Sequence, residues 1–410
     1  MSAVDRLALL TPANVRHRSG GTLFNRAVAA RARTLGHRVD VIDVPGHWPR
    51  PDRQAAGRVR AAATGYGRVL VDGLIATRSP EVLTDLTRRG VHTGLLVHLP
   101  ERHGGPPQAR ALAAADVVVV TSAWTGRWLL AHAWPLTGRP AAELTARLVL
   151  ARPGVGDPQE AAGTAGDHPS PDPHRAPAIA CVAALTPNKN QLTLLRALSR
   201  LTDASWSAEI IGSTTADPAY AARVRDAAAS FGERVQVTGE RDASSLAAHW
   251  PDVDLLVLPS TWESWGMVVT EGLQHGVPAV VGRGTGAVEA LTGAHGSGRW
   301  GGIGAAAAPR ALPGAAVDAE DPAALAAVLH HWLTDPDVRA RWRDAATGTH
   351  PQGWDAATAA VLAAMDPPSR RLRATNAHHR DGMRTPPRCW RPWTRRAAGS
   401  GRRTPTIETG

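Results

Sequence analysis

Cysteine and lysine are nearly absent from this chain of 410 residues, which holds two cysteines and a single lysine. Cys181 and Cys389 are too few for a disulfide framework, and no pair of histidines or cysteines has the spacing of a zinc site. The longest apolar runs fall far short of the roughly 18 residues that a membrane-spanning helix needs. The N-terminal segment also lacks the pattern of a signal peptide. These absences favour a protein of the reducing cytoplasm.

Positive charge is concentrated at the C-terminus. The formal net charge is +10, but from Asp366 onward 11 arginines stand against three acidic residues, whereas the preceding residues carry 35 basic and 33 acidic side chains. Residues 366–410 mix Arg, Pro and Gly without an apolar period, which predicts a basic disordered tail. Its Arg and Trp residues suit a weak contact with a polyanion or the inner face of a membrane, and a dangling extension is the alternative. A nucleic-acid partner is not expected.

Short apolar strands alternate with helical segments through most of the chain, a pattern typical of doubly wound parallel sheets. Residues 1–155 open with a strand, a loop, a helix and a second strand, and form the expected N-terminal domain. Residues 156–177 are rich in Pro, Gly and Ala and are interpreted as a linker. A second domain is expected over 178–350, with a closing helix over 351–365. The sequence therefore predicts an α/β protein of two domains.

The segment LLVLPSTWESWGMVVTEGLQHGVP, residues 255–278, carries the most informative pattern. Leu255–Leu258 is typical of a buried parallel strand, and a polar turn after it leads to a helix that should begin near Trp265 or Gly266. Ligands of open α/β sheets bind beyond the carboxyl ends of the strands, where helix N-termini face anions. Glu263 lies at this edge, and Glu271 follows about 12 Å further along. The two carboxylates therefore suit two parts of one long ligand.

This segment resembles the donor-site signature of the retaining glycosyltransferases of family 4. The matching residues are Pro259, Ser260, Glu263, Gly266, Met267, Glu271, Gly276 and Pro278. The resemblance implies that Glu263 holds the sugar hydroxyls and acts in catalysis, and that Glu271 accepts hydrogen bonds from the ribose. It also places Ser264, Gly266, Met267 and Val268 at the donor site.

A second match surrounds the only lysine, in CVAALTPNKNQLTLLRAL, residues 181–198. By resemblance, Lys189 lies opposite the diphosphate of the sugar donor, where a compact ammonium group is a suitable point charge. The family usually carries an arginine five residues earlier, and this chain has Ala184 there. Arg16, Arg18 and Arg283 are candidate substitutes for the missing cation.

Further candidate site residues come from the ends of other strands. Gly20 and Gly21 resemble the glycine loop of the family, whose amides approach the donor phosphates or the acceptor. His98, in LLVHLP, resembles a histidine of the catalytic cleft. Gly239, with Glu240 beside it, resembles the turn that borders the nucleotide base, and an ordinary strand-to-loop turn is the alternative. A segment further along, RGTGAVEAL, resembles a glycine-rich turn followed by Glu289.

The resemblance implies the GT-B fold, two facing doubly wound Rossmann-like domains with a cleft between them. The implied reaction moves a hexosyl group from a nucleotide diphosphate sugar to an unknown acceptor hydroxyl with retention of configuration. No metal or other cofactor is expected, because no Asp-x-Asp cation clamp is apparent and cations with a helix dipole can stabilise the diphosphate. The alternatives are a non-catalytic nucleotide-sugar binding protein, suggested by Ala184, or a phosphorylase or epimerase of the same fold. Arginines around the first helix, Arg26, Arg31, Arg33 and Arg38, suit an anionic lipid acceptor, or simply form a solvated face.

Overall fold

Two mainly parallel β-sheets, each covered by helices, make up this structure, a computed structural model that describes residues 6–15, 19–156, 175–300 and 311–367. Met1–Asp366 forms one compact unit. Most of the predicted linker, the tail beyond residue 367 and Cys389 lie outside the described residues. Arg16 and Arg18, two of the proposed substitute cations, also lie outside them.

The strands follow the apolar runs of the sequence. They are β1 (Leu7–Pro12), β2 (Val39–Val44), β3 (Arg68–Asp72), β4 (His92–Val97), β5 (Val117–Val120), β6 (Leu148–Leu150), β7 (Ala178–Val182), β8 (Ser207–Ile211), β9 (Val235–Gly239), β10 (Leu255–Leu258), β11 (Ala279–Gly282), β12 (Gly298–Arg299) and β13 (Gly314–Val317).

Helices connect most of these strands, as expected for parallel sheets. They are α1 (Gly20–Thr34), α2 (Ala55–Ala62), α3 (Gly73–Ala76), α4 (Pro80–Arg88), α5 (Pro106–Ala114), α6 (Ala123–Trp128), α7 (Ala141–Thr145), α8 (Gln191–Leu198), α9 (Pro218–Ala229), α10 (Ala243–His249), α11 (Met267–Gln274), α12 (Ala287–Leu291), α13 (Pro322–Thr334), α14 (Pro336–Thr347) and α15 (Asp355–Met365). A π-helical turn (Leu129–Ala133) and 3₁₀ turns (Trp134–Thr137, Pro187–Lys189, Gly232–Arg234 and Trp250–Asp252) complete the elements of the residues that the structure describes.

The strands form one sheet of seven and one of six. The first has the order β12-β6-β5-β4-β3-β1-β2, and the second has the order β13-β11-β10-β7-β8-β9. Neighbouring strands are parallel except that β12 pairs antiparallel with β6. We call the first sheet with its helices the first lobe and the second sheet with its helices the second lobe. The β12 strand comes from the later half of the chain and joins the first sheet, which the sequence did not predict.

Both sheets bury side chains on both faces, because alternate residues of a strand face opposite sides. Leu9 and Leu70 join the core that also holds α1 residues. Leu10 and Val71 join the core on the opposite face. In the second lobe, all of Leu255–Leu258 is buried. Cys181 is buried in β7, and this burial raises the pKa of its thiol to about 12.

The last helix, α15, follows the second lobe in sequence but packs on the first. It contacts α1 and five strands of the first sheet, and it buries Val361 and Met365 there. The Nε2 atom of His92 lies 3.1 Å from the carbonyl oxygen of Ala364, and Arg31 pairs with Asp355 at the start of α15. Within the described residues, no helix combines the length and apolar character needed to cross a membrane.

Candidate active site

A cleft of about 1080 Å³ lies at the carboxyl ends of both sets of strands. Residues from both lobes line it. Among the residues singled out from the sequence, the structure brings together Gly20, Gly21, His98, Lys189, Glu263, Ser264, Gly266, Met267, Val268 and Glu271. Positions that lie far apart in the chain therefore share one cavity.

Lys189 ends a 3₁₀ turn between β7 and α8. The next residue, Asn190, adopts the left-handed conformation with φ of 61°, and its Oδ1 accepts a hydrogen bond of 2.8 Å from the Thr193 hydroxyl. Asparagine tolerates this conformation better than most residues. The turn places Lys189 in the cleft, where its ammonium group pairs with the Glu263 carboxylate.

Glu263 is held by a loop that is bonded to the Lys189 turn. The amide of Thr261 donates to the carbonyl of Asn188 at 2.9 Å, and the Asn188 side chain donates to the carbonyl of Trp262 at 3.2 Å. The Oε1 atom of Glu263 accepts a 3.1 Å hydrogen bond from the Ser264 amide. The ammonium and the carboxylate are thus positioned by two loops that act as one unit.

The start of α11 faces the same cavity. Gly266 precedes the helix with φ of 78°, a conformation that favours glycine, and an added Cβ would lie 2.9 Å from Leu258 Cδ2. No side chain among the described residues caps this helix. Gly266, Met267 and Val268 line the cleft, so the first amides and the positive end of the helix dipole are available to an anion. The helix begins at Met267, one or two residues later than the sequence indicated.

His98 immediately follows β4, which begins at His92 and ends at Val97. Its Nε2 atom lies 3.0 Å from Asn25 Oδ1 and 3.5 Å from Asp72 Oδ2. Because an amide oxygen can only accept a hydrogen bond, Nε2 carries the proton. Within the described residues, Nδ1 has no hydrogen-bond partner, so its lone pair remains for a ligand.

Burial sets the charge of this imidazole. Desolvation lowers the pKa of His98 below its ordinary value, and the nearby Asp72 carboxylate opposes this effect without cancelling it. Asp72 is itself engaged, because its Oδ1 accepts from the Leu74 amide at 2.9 Å and its Oδ2 accepts from Asn25 Nδ2 at 3.4 Å. His98 is therefore neutral at pH 7, with an accepting Nδ1.

The glycine pair lies where the two lobes meet. A Cβ added at Gly21 would lie 3.0 Å from His98 Cδ2, and one added at Gly20 would lie 3.7 Å from the sulfur of Met267. Gly20 begins α1, whose cap is Ser19, and the Ser19 hydroxyl accepts a 3.1 Å hydrogen bond from the Thr22 amide. At position 21, a small residue thus keeps the start of α1 close to His98.

Residues 167–349, a little under half of the chain, match the family model described as "Glycosyl transferases group 1". We refer to this part of the chain, which resembles that family, as the group 1 domain. It contains both Lys189 and the loop that carries Glu263. A comparison with curated proteins found no match to this sequence.

Solved structures resemble the chain as a whole. Sucrose-phosphate synthase from Thermosynechococcus elongatus aligns with a TM-score of 0.65 at 17% identity, covering 90% of this chain and 100% of that chain. The catalytic domain of starch synthase IV from Arabidopsis thaliana, bound to ADP and acarbose, aligns with 0.63 at 10% identity, covering 90% and 100%. HepE from Anabaena, in complex with UDP-glucose, aligns with 0.58 at 16% identity, covering 91% and 99%. The predicted GT-B architecture is confirmed.

The group 1 domain is joined to the first lobe by side chains near the cleft. Ser264 Oγ lies 2.8 Å from Thr121 Oγ1 and 2.6 Å from Thr125 Oγ1, all three being buried. Glu289 accepts hydrogen bonds from the amides of Ala123, at 2.9 Å, and Trp124, at the start of α6. Glu289 does not line the cleft and instead connects the lobes.

Of the other predicted residues in the second lobe, Gly239 and Arg283 do not line the cleft, whereas Glu240 and Ala184 do. Gly239 ends β9 with φ of 84° and does not line the cleft, whereas its neighbour Glu240 does. Arg283 is also outside the lining, and its guanidinium donates to the carbonyl of Ala316 at 3.2 Å. Ala184 lines the cleft, so the missing arginine of the family pattern would have faced this cavity.

Sequence reasoning missed several polar residues that line the cleft. These are Asn25, Asp72, Arg241, Thr121 and Ser213. Arg241 pairs with Glu209. Asp72 ends a buried strand, a position that could have identified it; the packing of Asn25 against His98 depends on tertiary structure. Among the described residues, no group of three or more His, Cys, Asp or Glu side chains is arranged to hold a metal ion.

Proposed function

We propose that this protein transfers a hexosyl group from a nucleotide diphosphate sugar to an acceptor hydroxyl with retention of configuration, as a family 4 glycosyltransferase. One observation carries the proposal. The only lysine of the chain and Glu263 meet in the cleft that also receives the N-terminus of α11. This arrangement offers a cation and helix amides to a diphosphate and a carboxylate to sugar hydroxyls.

Negative charge grows on the departing diphosphate during transfer, so cations and amides that are already in place lower the barrier most effectively. Lys189 and the amides of Met267 and Gly21 would stabilise that charge. Glu263 would exchange its partner Lys189 for the sugar hydroxyls as the donor binds. Glu271 would accept hydrogen bonds from the ribose, and His98 would accept one from a substrate hydroxyl through Nδ1.

A metal is not required in this proposal, because the ammonium of Lys189 and the dipole of α11 supply positive potential at the diphosphate. Two structural neighbours were solved with a nucleotide diphosphate, ADP, and with a nucleotide diphosphate sugar, UDP-glucose. Transfer that is unchanged in a chelator would agree with the proposal, and transfer that a chelator abolishes would contradict it.

The first experiment measures thermal stability against UDP, GDP, ADP, TDP and their common sugars. A ligand that binds only the folded state raises the melting temperature as its concentration passes the Kd. We expect one nucleotide to stabilise the wild type, and Lys189→Ala and Glu271→Ala to lose this stabilisation. Arg38→Gln, an exposed change outside the cleft, is the control. NMR of the product then reports the anomeric configuration, and an inverted product would exclude the retaining reaction.

Ala184 favours a second candidate, a protein that binds a nucleotide sugar without turnover. The cleft lacks the family arginine at this position, so part of the positive charge expected around the diphosphate is missing. The two candidates differ in nucleotide release. A transferase releases nucleotide when an acceptor is supplied, whereas a binding protein is stabilised by the donor and releases none.

A further inference from the structure

The cleft continues along α1, well past His98. Leu23, Arg26, Ala30 and Arg33 line it from the helix, and Val41 and Asp43 line it from β2, the edge strand of the first sheet. We call this part the α1 groove. Arg33 follows Arg26 by seven positions in the helix, which corresponds to about 10 Å along the helix axis. The groove is thus long enough for a substrate that extends away from the proposed donor site.

Two arginines of the α1 groove lack an acidic partner. Both are exposed, and within the described residues neither Arg26 nor Arg33 makes an ion pair; Arg33 only donates to the carbonyl of Val39 at 3.3 Å. Arg31 lies between them in sequence and pairs with Asp355. The arginine bonded to α15 is therefore neutralised, and the two that line the cleft are not.

The carboxylates of the first lobe that line the cleft are already engaged. Asp43 Oδ1 accepts a 2.6 Å hydrogen bond from the Thr11 hydroxyl. Asp72 is buried and accepts from the Leu74 amide and from Asn25. Neither carboxylate lies within ion-pair distance of Arg26 or Arg33 among the described contacts. The two guanidinium groups remain available to an anion of the ligand.

Apolar surface adjoins the same region. Leu74 and Leu99 line the cleft although their side chains are 42% and 43% exposed. Leu99 follows His98, and Leu74 is bonded through its amide to Asp72, which contacts Asn25 on α1. The region beside His98 therefore combines exposed leucines with the start of an arginine-lined groove.

We propose that the acceptor is phosphorylated, and that Arg26 and Arg33 bind its phosphate while its reacting hydroxyl lies near His98. This inference rests on the proposed transferase function and specifies its acceptor. At pH 7 a phosphate carries one negative charge as a diester and close to two as a monoester, and two guanidinium groups without acidic partners suit either form. Arginine also offers paired donors that fit phosphate oxygens. The phosphate can belong to a soluble sugar phosphate or to a lipid headgroup, and the leucines suit the latter.

Calorimetric binding to the full chain without donor tests the proposal. The soluble probes are the matched pairs glucose and glucose 6-phosphate, and fructose and fructose 6-phosphate. The lipid probes are vesicles of phosphatidylcholine with or without phosphatidylinositol. We expect the wild type to prefer the phosphorylated member of at least one pair. The combined variant Arg26→Gln, Arg33→Gln should lose about tenfold in affinity for each arginine removed, and Arg38→Gln should bind like the wild type.

Preferential binding of the sugar phosphates alone identifies a soluble acceptor. Preferential binding of the vesicles that contain phosphatidylinositol alone identifies a lipid acceptor. Equal binding of neutral and phosphorylated probes by the wild type would overturn the proposal, as would equal binding by the wild type and the combined variant. Donor binding is measured separately with the nucleotides described above. A protein that binds a phosphorylated probe but no nucleotide would refute the transferase function and retain the arginine site.

Discussion

The Oδ1 atom of Asn25 lies 3.0 Å from Nε2 of His98, which joins the first helix of the chain to the end of a central strand. Because the Asn25 amide also donates to Asp72, its oxygen is the atom that faces the imidazole. This bond fixes the tautomer of His98 and leaves Nδ1 as an acceptor. Asn25 is thus a positioning residue whose effect on a substrate passes through His98.

Replacement of Asn25 should change the pH profile of transfer. Burial lowers the pKa of His98, so the neutral imidazole should persist below its ordinary pKa and activity should fall only in more acidic solution. Asn25→Asp places a second carboxylate beside Nε2, which favours the charged imidazolium and raises the pKa of His98. We therefore expect the acid limb of kcat against pH to move to higher pH.

Two further variants complete this test. Asn25→Leu removes the hydrogen bond without adding charge and should lower kcat about tenfold or more while the acid limb moves less. His98→Ala should remove the limb altogether. An unchanged acid limb in Asn25→Asp, with donor binding intact, would show that His98 does not act as the acceptor of a substrate proton or hydrogen bond.

The ion pair of Lys189 with Glu263 leads to opposite predictions for its two members. Lys189→Ala removes the cation and should weaken binding of the nucleotide diphosphate by about 10- to 100-fold. Glu263→Gln releases Lys189 from its partner and should leave binding of the free nucleotide diphosphate unchanged or tighter, while transfer falls steeply. Titration calorimetry and initial rates measure the two effects. Weaker binding of the free nucleotide to Glu263→Gln would contradict an exchange of partners at this pair.

Much of the second lobe could be predicted from the sequence, because its signals are local. The run Leu255–Leu258 is uniformly apolar and buried, and the loop after it carries Glu263 within a few residues. The β12 strand could not be predicted in this way. It is only two residues long, Gly298–Arg299, and it exists because those residues pair with β6 of the other lobe.

In the candidate site, too, short motifs predict some residues, whereas the role of others depends on tertiary structure. Lys189 and Glu271 follow from short motifs and do line the cleft, whereas Gly239 does not, because the turn after β9 presents Glu240 instead. Arg26 and Arg31 are both arginines of α1, and only the position of α15 decides that Arg31 is paired. Helical periodicity alone cannot distinguish a groove from a face that another helix covers.

Restoring the family arginine tests the consequence of Ala184. Ala184 is partly exposed in the cleft, and its backbone carbonyl is held by Gln191 Nε2 at 3.0 Å. Ala184→Arg should add a second cation near the diphosphate and raise the rate of transfer, by about tenfold if the new guanidinium supplies one charge-assisted hydrogen bond. Stopped-flow release of nucleotide gives the rate. Complete loss of donor binding would instead show that this residue does not occupy the position of the family arginine.

Glu289 should stabilise the contact between the lobes rather than bind substrate. It accepts from two amides of α6 and lies 3.4 Å from Arg152, which is buried and also donates to the carbonyl of His295. Glu289→Ala leaves these donors without their acceptor, so the free energy of unfolding should fall by about 2 kcal/mol or more. Urea unfolding measures the change. Asp203→Ala, at the exposed pair with His330, should cause no measurable loss.

Gly286 packs so closely against the backbone of the loop that carries Glu263 that a residue with a side chain does not fit at this position. A Cβ at this position would lie 1.6 Å from the carbonyl oxygen of Ser264, and the Gly286 amide donates to the carbonyl of Glu263 at 2.8 Å. Gly286→Ala must therefore displace the loop that carries Glu263, and donor binding should be lost even where the protein remains folded. Gly57→Ala is the matched control, because nothing lies within 4 Å of its added Cβ and alanine favours the helix. Circular dichroism and nucleotide-dependent melting separate the effects, and a Gly286→Ala protein that binds donor normally would mean that the Glu263 loop does not form the donor site.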